Sequence, residues 1–108
     1  MSAYLFIESR DPYESNDVAA QYELAAGLAR EGAKVTVFLV QNGVLAARRG
    51  AQAELLQKLT GAGVEVLADE FSLRERAIGN DRLVPGVKPS PIDVVIDHLE
   101  QGRKALWH

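Results

Sequence analysis

Two adjacent carboxylates, Asp69 and Glu70, stand where an apolar run, Val64 to Ala68, gives way to a charge-rich segment. Paired carboxylates can do acid–base work when their surroundings push their pKa values apart. At a helix start, Asp69 would equally accept backbone N–H bonds and favour the helix dipole. On residue pattern alone the cap outweighs the catalyst. Asp11 carries the same double reading and the same balance. Ser9 has no histidine near it in the sequence, and the two histidines, His98 and His108, lie in the last helical stretch and at position 108, so no Ser-His-Asp triad is expected. Two histidines without motif spacing are not a metal set, and His98 is expected on the exposed side of its helix. Gly61-Ala62-Gly63 precedes a strand, whereas a dinucleotide fingerprint places its glycines between strand and helix. There is no Walker-type GK[ST].

The totals narrow the options. The chain has 108 residues, which fits a single domain over 1–108, with 47% apolar and 25% charged residues, close to an average globular protein. Its formal net charge of −3 argues against nucleic acid, which calls for a basic face. Arg48 and Arg49 form one short basic spot, read as a solvated helix end. The absence of cysteine rules out disulfides, thiolate chemistry and cysteine-ligated metals. No apolar run reaches the roughly 18 residues of a membrane span. MSAYLFIESRD has no basic flank ahead of its apolar run and is not read as a signal peptide. A cytoplasmic protein is expected.

Periodicity supplies the elements that must position these groups. Residues 3–8, AYLFIE, read as a strand buried on both faces. Asp11-Pro12-Tyr13-Glu14 reads as a helix entry, with Ser15-Asn16-Asp17 as a competing start. Apolar positions 18, 22, 25 and 29, with 20, 24 and 28, continue that helix to Gly32. KVTVFLV, 34–40, is the second strand. Residues 44–60 are helical with an interruption near Gly50, and Leu55, Leu56 and Leu59 form the inward stripe. Val64 to Ala68 is the third strand, followed by a short helix from Glu70 to Ile78. Pro85 and Gly86 make 83–89 an edge strand or a loop. A last helix opens at Ser90-Pro91-Ile92-Asp93 with Ile92, Val95, Ile96 and Leu99 at i, i+3, i+4, i+7 spacing, and 104–108 can add a final short strand. Alternating strands and helices imply right-handed crossovers and an α/β fold: a three-layer α/β/α domain with a mainly parallel sheet of about five strands. In such a sheet the loops after the strands share one edge. Ser9, Arg10, Asn16, Gln41, Asn42, Asp69 and Phe71 are therefore the candidate ligand-binding residues, with Asp69 and Glu70 the candidate catalytic pair.

The first strand, the ESRDPYESND loop, the Ala-rich helix, GAKVTVFLVQNGV and the LVPGVKPSPIDVVIDHLEQG tail together resemble the DsrE/DsrF-like family, over nearly the whole chain. That family includes small sulfur-relay subunits of sulfur oxidation and tRNA thiolation. The resemblance implies a DsrE/flavodoxin-like fold and assembly into trimers or hexamers, with copies of itself or with a DsrE-like paralogue. Tyr4, Tyr13, Tyr22, Phe71 and Trp107 are the candidate interface residues. In sulfur-handling members a cysteine follows the third strand, and an Arg-Gly pair lies about two turns on. Here Arg76-Ala77 stands in place of Arg-Gly, and the cysteine position falls on or beside Asp69. A carboxylate cannot carry a persulfide, which needs a polarizable thiolate. The resemblance thus implies a non-catalytic structural or small-ligand-binding subunit; no cofactor or metal is expected, and neither nucleic acid nor membrane is expected as a partner. The alternative is a small enzyme using Asp69 and Glu70 as acid and base. A phosphate site at the helix N-termini ranks last, because the carboxylates there would repel it.

Overall fold

The structure, a computed structural model, describes residues 2–50 and 53–108. Five strands form one sheet: β1 (Ala3–Glu8), β2 (Lys34–Leu39), β3 (Glu65–Asp69), β4 (Val87–Ser90) and β5 (Lys104–Trp107). The helices are α1 (Asp17–Arg30), α2 (Ala53–Gly61), α3 (Glu70–Glu75) and α4 (Asp93–Glu100). Two 3₁₀ segments, Gln41–Ala47 and Asn80–Arg82, complete the chain. Every strand pairing is parallel and the order is β4-β3-β2-β1-β5. Parallel strands need crossovers, and crossovers are right-handed. From β1 to β4 the chain steps always in one direction, so its connections cover one face. The step from β4 back across the sheet to β5 runs the other way and brings α4 to the opposite face. This is the three-layer α/β/α arrangement expected from the pattern of elements.

Strand alternation sends each residue to its layer. Phe6, Val35, Val37, Leu39, Val66 and Ala68 point into a thick core with Val18, Tyr22 and Ala25 of α1, Leu56 and Leu59 of α2 and Leu73 of α3. Leu5, Ile7, Phe38, Val40 and Leu67 point the other way, onto Val94 and Val95 of α4. Pro89 lies in β4, an edge strand bonded only to β3, where the missing N–H does least harm.

Several expectations need correction. The first helix begins at the competing start, Asp17, and the Asp11 carboxylate instead accepts the Tyr13 backbone N–H in a local turn (3.2 Å). The helical stretch expected over 44–60 with an interruption near Gly50 begins as a 3₁₀ segment and resumes as α2 at Ala53, and positions 51–52 lie outside the described residues. Of the apolar stripe expected on α4, Val95 alone faces inward. Val94, Val95 and His98 turn towards the sheet, while Ile92, Ile96 and Leu99 are each at least half exposed.

His98 is accordingly buried, not on the surface. It lies on the thin side with Arg103 and Thr36, both buried. Arg103 Nη1 donates to Thr36 Oγ1 (2.8 Å), which donates to Glu65 Oε1 (2.9 Å). His98 Nδ1 is buried with no hydrogen-bond partner. Burial pushes the His98 pKa down, and the Arg103 guanidinium adds to the shift.

Candidate functional site

The C-terminal ends of β1, β2 and β3 form one sheet edge. At its third strand, Asp69 is the N-cap of α3, with extended backbone. One carboxylate oxygen accepts the Ser72 backbone N–H (3.0 Å) and the Ser72 hydroxyl (2.7 Å). The Ser72 hydroxyl in turn accepts the Gln41 N–H (2.8 Å), tying β3 to the loop after β2. Gln41 holds a left-handed φ of 49°, a costly conformation for a side-chain-bearing residue, which that bond helps to fix. Asp69 is 7% exposed. Its neighbour Glu70 is partly exposed, and among the described residues it pairs with neither Arg74 nor any other cation.

Helix α3 ends as a Schellman motif: Ala77 N–H bonds the Arg74 carbonyl and Ile78 N–H the Leu73 carbonyl. That geometry needs a left-handed residue at Ala77, whose φ is 54°. Arg76, one residue earlier, turns back over the edge. Its Nε and Nη2 donate to Asn42 Oδ1 (3.3 and 3.0 Å), and its Nη1 donates to the Ser72 carbonyl (3.3 Å). Gly43 closes the gap to β1, since a side chain there would collide with the Glu8 carbonyl oxygen.

The same edge holds a pair that sequence reading missed. Glu8, 2% exposed, contacts His108 Nδ1 through both carboxylate oxygens (2.8 and 2.9 Å) and accepts the Arg10 N–H (3.1 Å). Ser9 donates its hydroxyl to the His108 backbone carbonyl (2.9 Å) and does not meet the imidazole, so no nucleophilic triad forms. The hidden signal is the β1–β5 register, Ile7 opposite Trp107, which sets position 8 beside 108 although 100 residues separate them.

Beyond Arg76 the edge opens into a hollow of about 690 Å3, lined by Arg48, Arg49, Arg76, Arg82, Asp81 and Tyr13 among others. The expected ligand residues are spread more widely. Asn42 buttresses the hollow through Arg76, and Gln41 and Asp69 belong to the Ser72 network beside it. Ser9 sits at the His108 end, while Arg10, Asn16 and Phe71 are exposed. Among the described residues no three metal-ligating side chains gather.

A family model, the DsrE/DsrF-like family, matches residues 2–107. The chain belongs to that family. Solved structures of the DsrE-like fold agree. The ychN protein from E. coli superimposes with a TM-score of 0.91 at 21% identity, covering 100% of both chains. A protein of unknown function from Methanobacterium thermoautotrophicum gives 0.82 at 23% identity, again over 100% of both chains. One from Bacteroides thetaiotaomicron gives 0.82 at 13% identity over 99% of this chain and 95% of its own. No curated protein sequence matches this one. The chain contains no cysteine.

Proposed function

We propose that this is a non-catalytic DsrE/DsrF-like protein, a small-ligand-binding subunit related to sulfur-relay complexes but without the persulfide cysteine. One observation carries the reading: the buried carboxylate at the end of β3 gives its Oδ2 to both the Ser72 N–H and the Ser72 hydroxyl, the work of an N-cap. That oxygen is spent on holding α3, which accounts for a carboxylate at this position without acid–base chemistry. The exposed Ile92, Ile96, Leu99 and Trp107 around α4 and β5 support the second half of the proposal, assembly with copies of itself or with a paralogue.

Asp69→Ala tests the role directly. As a lost cap it should cost about 0.5–2 kcal/mol in denaturant unfolding. An unchanged melting curve, with loss of a ligand or of a turnover, would show instead that Asp69 works as an acid or base. Light scattering tests assembly. A mass that is a multiple of the 11.8 kDa chain is expected, falling to one chain with Ile96→Glu. A monomer that also ignores a cysteine-bearing paralogue removes the subunit reading.

A further inference from the structure

Four of the eight arginines of this net-negative chain line one hollow beside α3: Arg48, Arg49, Arg76 and Arg82. One carboxylate, Asp81, shares the lining, so the local formal charge is +3 against −3 for the whole molecule. Arginines usually find carboxylates. Here the ion pair among the described residues is Glu8–His108, and none of these guanidiniums takes part in it.

Three of them are held by neutral oxygens instead. Arg48 Nε donates to the Leu45 carbonyl (3.2 Å), and Arg49 Nε donates to the Leu83 carbonyl (3.1 Å). Arg76 is fixed by Asn42 Oδ1 and the Ser72 carbonyl. The backbone beneath is stitched in the same way: Arg49 N–H bonds the Arg82 carbonyl, Val84 N–H bonds the Ala47 carbonyl, and Arg48 bridges Leu83. Anchoring through Nε aims the Arg48 and Arg49 guanidiniums without cancelling their charge and leaves their terminal nitrogens for a ligand, whereas Arg76 has all three nitrogens engaged and adds its charge to the site. The free terminal nitrogens form the fork that grips two oxygens of an oxyanion at once. Because the anchors are made before any ligand arrives, little side-chain entropy remains to be lost on binding.

We propose that this hollow is the binding site for a small molecule carrying a diphosphate group, with the guanidiniums on the phosphate oxygens and the less polar end of the ligand against Tyr13 and Leu45. The volume falls within the roughly 300–1,000 Å3 of small-molecule sites, and the cationic excess matches the charge of a diphosphate. The site differs from one at a helix N-terminus, where Asp69 would repel phosphate. This inference deepens the ligand-binding reading above and rests on it for the claim that the sheet edge takes a small molecule.

Isothermal titration of the full chain with inorganic pyrophosphate is the test. One site per chain is expected, with affinity falling as salt rises. The double variant Arg48→Ala/Arg82→Ala should weaken binding at least tenfold, on the order of the loss of one charge-assisted contact. Arg82→Gln alone, the milder change, should weaken it less, and Arg30→Ala, at the end of α1, should leave it as it was. Circular dichroism confirms that each variant is folded. No saturable binding of pyrophosphate, or binding that the double variant retains, overturns the assignment. So does an oligoribonucleotide that binds through the same arginines and is not displaced by pyrophosphate. If pyrophosphate binding is instead lost in Asp69→Ala at an unchanged melting temperature, the structural role of Asp69 fails, a result separable from failure of the arginine site.

Discussion

On one side of the sheet Val37 and Leu39 lie beneath α1 and α2, two helices packed against each other; on the other side Phe38 and Val40 lie beneath α4 alone. The same strands build both sides, and their alternation supplies apolar residues to each. The difference comes from chain path: three connections step one way along the sheet and a single one returns. A lone eight-residue helix cannot span five strands. The thin side therefore keeps polar groups, Thr36, Arg103 and His98, near its border, and leaves Ile92, Ile96 and Leu99 uncovered. Unequal cover tells which side of an α/β protein is free to meet a partner.

Substitutions on either side of the sheet test how unequal the two cores are. Phe38→Ala, wholly buried on the thin side, should cost about 3–5 kcal/mol, and Leu56→Ala on the thick side about 2–5. Urea unfolding measures both, and a cost below 1 kcal/mol for Phe38→Ala would mean that α4 does not hold a core at all. Thr36→Val removes the acceptor of the buried Arg103 Nη1 and should cost about 1–3 kcal/mol; a neutral result would show water already reaching that group. On the thick side Ala77→Gly should stabilise by up to about 1 kcal/mol, the relief of a left-handed alanine less the added freedom of the unfolded chain. A loss of melting temperature there would contradict the φ of 54°.

The smallest effect is one of pH and belongs to the thin side. Burial lowers the folded His98 pKa beneath its ordinary 6.5. Between the folded value and 6.5 the unfolded chain binds more protons, so stability rises with pH across that window. The neutral imidazole's contribution is thus present above about pH 6.5 and lost as pH falls through the folded pKa. His98→Gln should flatten that slope, and a slope unchanged by it would place the titration elsewhere.

Local features were legible from residues. The apolar runs became strands within a residue or so, and the Asp69 cap was readable because an N-cap depends on the few residues after it. The start of α1 was readable only as a choice between Asp11 and Asp17, as both offer caps. The orientation of α4 was not readable: Ile92, Val94, Val95, Ile96 and Leu99 place apolar side chains nearly all round, and which side faces inward depends on what covers the rest. The Glu8–His108 pair and the arginine hollow were hidden because each joins distant segments. Arg48 and Arg49 read as a solvated spot until the strand order set them beside Arg76 and Arg82.

The position of β1 has a further consequence, during synthesis. In the finished sheet β1 lies between β2 and β5, its Leu5 and Ile7 shielded. Until β5 emerges, the growing chain can offer only the order β4-β3-β2-β1, and this apolar strand stands at an open edge, a template for any neighbouring chain. At about 5–20 residues per second that state lasts for seconds. A strand paired on both sides in the native protein thus stands open on one side while the protein is being made, and crowded expression should aggregate through it.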